Sequence, residues 1–344
     1  MLIKEVLCNG EEKLMKNKFL IIVFLFAMIC LLCTGCGSIT PDFSGMKDKV
    51  EIQCGEKLDL DNYLNDNLVI KASMEDETKE FKLSDLDHSI SMDEKIYNAE
   101  TGEVDTSDFG SFECEVDVDD RETKIKGSFV FTLDLKPLKI EKGFYVYEDE
   151  VSSTGYSLLG YCSFENTSKQ LLHIKEIKVE YLDKDGISVC NTDLPEFAPE
   201  YLAKGRIGFL HDTFAGTNAV INAPEDIAEI KIDIDYERGS EDNSTLEVSK
   251  INLLNNYDYN VSGFAAEAII TNPYNKSVEY YNVVAGMYDK NDKLIGTMTA
   301  METSNLSAKS KAKKIVAWLP DSNTRPDLTK TVKASACVTV FEKK

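Results

Sequence analysis

The sequence predicts an all-β protein built from antiparallel sandwich modules in tandem. Three observations lead there. Beyond residue 50, short runs alternate apolar and polar side chains with period two, the pattern of strands that bury one face. No long stretch there keeps the 3.6-residue period of an amphipathic helix, and Asp59–Leu64 allows one helical turn. The chain also repeats itself, Asn166 falling on Asn272 at an offset of 106 residues, which is a domain duplication rather than a solenoid.

The N-terminus reads as an address. Lys16 and Lys18 precede the apolar run Phe19–Cys33, and Thr34, Gly35, Cys36 and Gly37 follow. A basic start, a short apolar segment and a small-residue exit describe a secretory signal over residues 1–35. The fifteen apolar residues of that run are short for a membrane span, which needs about 20. The exit resembles the lipobox of bacterial lipoproteins, where cleavage precedes a cysteine that takes a diacylglyceryl group. Cys33 departs from the usual Leu at its position, although Leu31 and Leu32 adjoin it. The resemblance implies lipidation at Cys36 and a place on the outer face of a bacterial cytoplasmic membrane. Glu5, Glu11 and Glu12 do not suit a signal, so residues 1–14 read as a start-site artefact ahead of Met15. Residues 36–49, polar with Gly, Ser and Pro, form a tether.

Removing the signal leaves 309 residues, Cys36–Lys344, enough for two or three domains with their own cores. The chain carries 60 acidic against 38 basic side chains, net −22. That field argues against nucleic acid and against a polybasic grip on anionic lipid. Of nine cysteines, Cys8, Cys30, Cys33 and Cys36 lie in or before the signal exit. Cys54, Cys114, Cys162, Cys190 and Cys337 remain, with no C-x-x-C among them to suggest zinc or redox chemistry. Outside the cell Cys54–Cys114 or Cys162–Cys190 can form disulfides; buried, unpaired thiols are the other reading.

Residues 50–137 form the first module. Phe112, Cys114, Val116 and Val118 alternate with acidic residues, and Phe129, Phe131, Leu133 and Leu135 alternate with Val130, Thr132 and Asp134. The turn Asp119-Asp120-Arg121-Glu122-Thr123-Lys124 joins the two runs as a hairpin. The run Asp105-Thr106-Ser107-Asp108-Phe109-Gly110-Ser111-Phe112 resembles that leading into a late strand of bacterial Ig-like surface modules, which implies an Ig-like sandwich here.

The duplicated modules span 140–238 and 250–344, with Ser240–Lys250 between them as linker or first edge. Ser163–Gly186 aligns without a gap on Ile269–Asp292, each copy running apolar strand, Asn turn, second strand, acidic hairpin turn. Each continues to a Leu, Leu202 or Leu306, and then to Phe209 or Trp318 in comparable places. Both close on an alternating strand, Ile230 to Tyr236 and Val332 to Val340. Met287-Tyr288-Asp289-Lys290-Asn291-Asp292 resembles the leucine-tyrosine-aspartate run of the FxLYD domain family of bacterial envelope proteins. Tyr181-Leu182-Asp183-Lys184-Asp185-Gly186 matches it with Tyr and Leu exchanged. The resemblance implies Ig-like or fibronectin-like β-sandwiches and no catalytic residues, in line with short alternating strands broken by turns.

Chemistry-bearing patterns are few. His88, His173 and His211 fall in different segments, and no G-x-S-x-G, H-E-x-x-H, P-loop or G-x-G-x-x-G occurs. Asp183, Asp185, Asp289 and Asp292 sit at the hairpin tips as candidate binding-loop residues. Calcium would need further oxygens and a closing Glu, so ordinary Asx turns are the simpler reading. Asp117, Asp119 and Asp120 form one more carboxylate cluster, and Tyr145 with Tyr147, or Tyr280 with Tyr281, offer an aromatic platform. No cofactor or metal is expected. The expected role is non-catalytic binding, scaffolding or adhesion in the envelope, anchored through Cys36, with another envelope protein or a cell-wall component as partner. The competing classes are a ligand or divalent-ion sensor and an envelope hydrolase.

Overall fold

The computed structural model describes residues 38–74, 77–148, 155–192, 195–214, 221, 223–242, 244–254, 265–302, 305–316 and 330–340. The signal, Cys36 and Trp318 lie outside them. The described residues are all-β, a set of antiparallel sheets with no closed barrel. Among them no helix is long and apolar enough to cross a membrane.

Two compact units divide the chain. The first takes residues up to Val50, Lys57–Asp105 and Ser111–Asp134. Strands β1 (Asp42–Ser44), β2 (Lys49–Gln53), β3 (Leu58–Asp59), β4 (Val69–Met74), β5 (Glu77–Phe81), β6 (His88–Ser91), β7 (Tyr97–Asn98), β8 (Glu103–Val104), β9 (Gly110–Asp119) and β10 (Lys126–Lys136) occur in this part of the sequence. They form sheets β1-β4-β5, β2-β10-β9-β6 and β3-β8-β7. The tether expected over 36–49 is therefore corrected from Ile39 onward: Ile39 bridges to Ile125 and Asp42–Ser44 pairs with β4, so this stretch is part of the unit. The period-two reading holds on β9, where Cys114, Val116 and Val118 are buried and the acidic residues between them face out. It fails at Asp134, which is buried on β10 and held by Lys49 at 2.8 Å and the Ser111 hydroxyl at 2.9 Å. The helix α1 (Leu60–Asn67) is longer than the single turn expected. Asp59 caps it, accepting the Asn62 N–H at 3.0 Å, and burial of Leu60 and Leu64 on one face sustains a run of weak helix formers.

The second unit takes Glu51–Glu56, Thr106–Gly110 and everything from Leu135. Thr106–Gly110, five residues of the Asp105–Phe112 motif, therefore fold here. Phe109 meets Tyr236 edge-on at 5.6 Å, and Asp108 holds Arg238 at 3.3 Å and Gln170 at 2.9 Å.

The first copy supplies β11 (Leu138–Glu148), β12 (Tyr156–Asn166), β13 (Leu172–Leu182), β14 (Ser188–Thr192), β15 (Glu196–Ala198), β16 (Tyr201–Leu202), β17 (Ile207–Phe214) and β18 (Glu229–Arg238). One sheet runs β11-β12-β17-β15; the other places β13 among β14, β16 and β18. The second copy supplies β19 (Thr245–Leu254), β20 (Ala265–Thr271), β21 (Tyr281–Tyr288), β22 (Leu294–Glu302), β23 (Lys311–Val316) and β24 (Lys333–Val340). Here the two halves join through the β19–β24 pairing into one path, β22-β21-β24-β19-β20-β23. The stretch expected as linker or edge enters β19 from Thr245.

The duplication extends to individual hydrogen bonds. Asn166 and Asn272 are both fully buried. The Asn166 amide donates to the carbonyls of Gln170 and Leu202, each at 2.7 Å; that of Asn272 donates to Lys276 at 2.8 Å and Leu306 at 3.1 Å. Asp183 accepts the N–H groups of Asp185 and Ile187, and Asp289 those of Asn291 and Lys293. The β13–β14 ladder shifts register after Tyr181, and the β21–β22 ladder after Met287, its counterpart at 106 residues. Asn272→Asp replaces the donor to buried carbonyls by a carboxylate, and is expected to cost about 2 kcal/mol in urea unfolding.

Among the described residues Cys54, Cys114, Cys162, Cys190 and Cys337 form no disulfide. Cys162 and Cys190 share the first-copy core without bonding, so the small-apolar-residue reading holds over the disulfide. Burial pushes the thiols of Cys114, Cys190 and Cys337 up to about 12, far from thiolate reactivity.

Candidate functional site

The site follows from two strands without a polar face. On β13, Glu176, Lys178 and Glu180 alternate with Ile177, Val179 and Tyr181, and the charged residues meet Lys231, Asp233 and Asp235 of β18 on an outer surface. At the same positions β21 carries Asn282, Val284 and Gly286, and all eight of its residues are buried. On β12, Ser157–Phe164 is likewise buried throughout. A strand buried on both sides needs a layer over each face. The two copies provide it by stacking the β11-β12-β17-β15 sheet against β21, β22 and β24.

The core of this seam is Tyr161, Ala198, Phe209, Val284, Tyr288 and Leu294. The Phe209 ring enters where Gly286 has no side chain; a Cβ there would lie 2.2 Å from the ring. Polar groups bind the rims. The Tyr145 hydroxyl donates to the Ile295 carbonyl at 2.6 Å, the Leu294 N–H to Glu141 at 2.9 Å, and the Cys337 thiol to the Ile207 carbonyl at 2.9 Å. Thr299 donates to Glu196. His211, 4% exposed, sets Nδ1 3.1 Å from the Thr297 carbonyl, which can only accept, so Nδ1 carries the proton. Burial lowers its pKa to about 4, against the Thr297 bond, which acts to raise it.

One end of the seam opens into a cleft of about 350 Å³ lined by Lys139, Glu141, Ser163, Glu165, Ile207, Tyr288, Asp292, Lys333 and Ser335. Tyr288 and Ile207 form its apolar surface. Lys333 lies 5.4 Å from the Tyr288 ring centre and pairs with Asp292 at 2.9 Å.

Of the residues singled out by sequence, Asp292 alone reaches this cleft, at φ +57°, a left-handed position Asp tolerates. Asp183 and Asp289 hold their hairpin turns, and the N–H groups of Lys293 and Asn291 keep the Asp289 carboxyl below its usual range. Asp185 stands exposed at the first-copy tip. Asp120 organises the β9–β10 turn through the Thr123 N–H at 2.7 Å. No group of three His, Cys, Asp or Glu among the described residues can hold a metal ion. The histidines stay apart: His88 bonds the Leu86 carbonyl, His173 stacks on Tyr201, and His211 is in the seam. The aromatic platform does not form, since Tyr145 bonds across the seam and Tyr281 is fully buried.

Sequence reasoning missed Lys139, Glu141, Glu165, Tyr288 and Lys333 as one cluster. The apolar run Val283–Met287, with Asn282 the one polar side chain of the strand, was the signal that both its faces are covered.

These features define an all-β protein of stacked sandwiches with a charged cleft at the seam of a duplicated pair. No protein-family model and no curated protein sequence matches the chain.

Proposed function

We propose that this chain is a lipoprotein held to the outer face of a bacterial cytoplasmic membrane through Cys36, and that it binds or scaffolds without catalysis. The modules are read as Ig-like and FxLYD-type sandwiches, and the partner as another envelope protein or a cell-wall component. The observation that carries the binding role is the seam cleft, which joins an aromatic surface to charges of both signs and contains no histidine or cysteine among its lining residues. Such a lining suits recognition. It equally suits a ligand-binding subunit or sensor, the second reading the cleft favours.

The anchor is tested by Cys36→Ser. Each methylene of a lipid chain contributes about 0.8 kcal/mol, and stable attachment needs two chains. The variant is expected to leave the membrane pellet for the soluble fraction; a variant that pellets like the wild type overturns the lipid anchor. Catalysis is tested on the full chain with glycosidic and peptide substrates. Turnover that disappears on changing Glu141, Glu165 or Asp292 would make the chain a hydrolase.

A further inference from the structure

We infer that the seam cleft takes a small zwitterion, an amino acid or short peptide with a free ammonium and a free carboxylate. The inference rests on the binding role and is independent of the lipid on Cys36.

The carrying observation is a pair of charges that do not meet. Lys139 and Glu165 are direct cross-strand partners on β11 and β12, and both line the cleft. Two other Lys–Glu pairs stand in the same relation. Lys71 and Glu80 on β4 and β5 close to 3.1 Å, and Lys231 and Glu180 on β18 and β13 also close to 3.1 Å. Opposed residues lie about 5 Å apart at Cβ, so such closure is easy. The Lys139 and Glu165 head groups make no ion pair or hydrogen bond with another described residue. The remaining charges are committed: Lys333 to Asp292, and Glu141 to the Leu294 N–H.

This pair, unengaged among the described residues, sets the ligand chemistry. A lone anion at Lys139 would face the Glu165 carboxylate, and a lone cation at Glu165 would face the Lys139 ammonium. A ligand with both ends satisfies both, its carboxylate on Lys139 and its ammonium on Glu165. The Tyr288 ring and the Ile207 side chain, 37% exposed, then receive its apolar part. A volume of about 350 Å³ is at the small end of ligand pockets, which begin near 300 Å³.

The test is calorimetric titration of the full chain in detergent with alanine, leucine, phenylalanine and Ala-Ala, then N-acetyl-Ala-Ala, Ala-Ala amide and sodium acetate. Free zwitterions are expected to bind, and blocking either end to weaken binding at least tenfold. Lys139→Met is expected to erase the preference for a free carboxylate and Glu165→Gln that for a free ammonium, with unchanged thermal unfolding. Acetate binding as tightly as Ala-Ala would reduce the cleft to an anion site and overturn the inference. So would equal binding of blocked and free peptides, or no binding by any free zwitterion at millimolar concentration. A chain that ignores all these ligands yet still captures an envelope partner retains the binding role and loses this inference alone.

Discussion

Gly286→Val is expected to destabilise the second unit by at least about 3 kcal/mol, read as a fall in the urea midpoint. The position is extended backbone in the middle of β21, so the cost is steric. Phe209 ring carbons lie 2.2, 2.7 and 2.9 Å from where a Cβ would sit. The ring has little room to retreat, because Phe209 is fully buried and packs edge-on to Tyr288 at 6.3 Å. Overpacking a filled core costs about 1–3 kcal/mol, and three branched carbons against a fixed ring reach the top of that range. Phe209→Ala alone is expected to cost about 3–5 kcal/mol by leaving a cavity. The double variant should be far more stable than the sum of the two losses, since the valine occupies space the ring has left. Additive losses would show that Phe209 and Gly286 are not in contact and that the seam is packed otherwise.

Acidification is expected to weaken the seam through His211. Its folded pKa of about 4 lies below the ordinary 6.5, so the unfolded chain takes up a proton first. The neutral form's contribution is complete above about pH 6.5 and is lost as pH falls toward 4. At about 1.4 kcal/mol per pH unit, that loss is about 3 kcal/mol. The groups facing His211 do little to relieve it. Glu196, its partner on β15, holds the Thr299 hydroxyl, and Thr297 offers a carbonyl already bonded to Nδ1. Asp212, next in sequence, is buried in the first-copy core, where it accepts the Tyr181 hydroxyl at 2.7 Å. Burial raises its pKa, so its own contribution runs in the opposite sense, lost as pH rises. Comparing wild type with His211→Gln separates the two. The stability gap between them should narrow by about 2–3 kcal/mol between pH 7.5 and 4.5. A gap that stays constant would mean that His211 titrates normally and is open to water.

Much of the architecture was present in local pattern. Alternation on β9 and β18 identified inward faces, because period two allows one side of a strand to be apolar and the other wet. On β24 Ala336, Val338 and Val340 are buried as read, but Thr339 on the other face is buried too, and Val332, just before the strand, is exposed. The buried Asn and the hairpin Asp of each copy marked the duplication, because each side chain completes a backbone turn that few other residues can close. Local pattern also hid things. Asp134 read as the wet side of its strand until Lys49 and Ser111 were brought to it from elsewhere in the chain. Cys162 and Cys190 read equally well as a disulfide until the core placed them together unbonded.

By itself the sequence determined that this protein is all-β, that its C-terminal half is a duplicated sandwich, and that Asp183 and Asp289 turn equivalent hairpins. The tertiary structure alone decided that the two copies stack sheet against sheet, that Gly286 receives Phe209, and that Lys139, Glu165, Tyr288 and Lys333 share a cleft. The physical reason is that hydrogen bonds and turn geometry act between residues close in the chain or paired along a ladder. Which outer face covers which is settled by the fit of side chains far apart in the chain, and alternation shows only that a face is apolar.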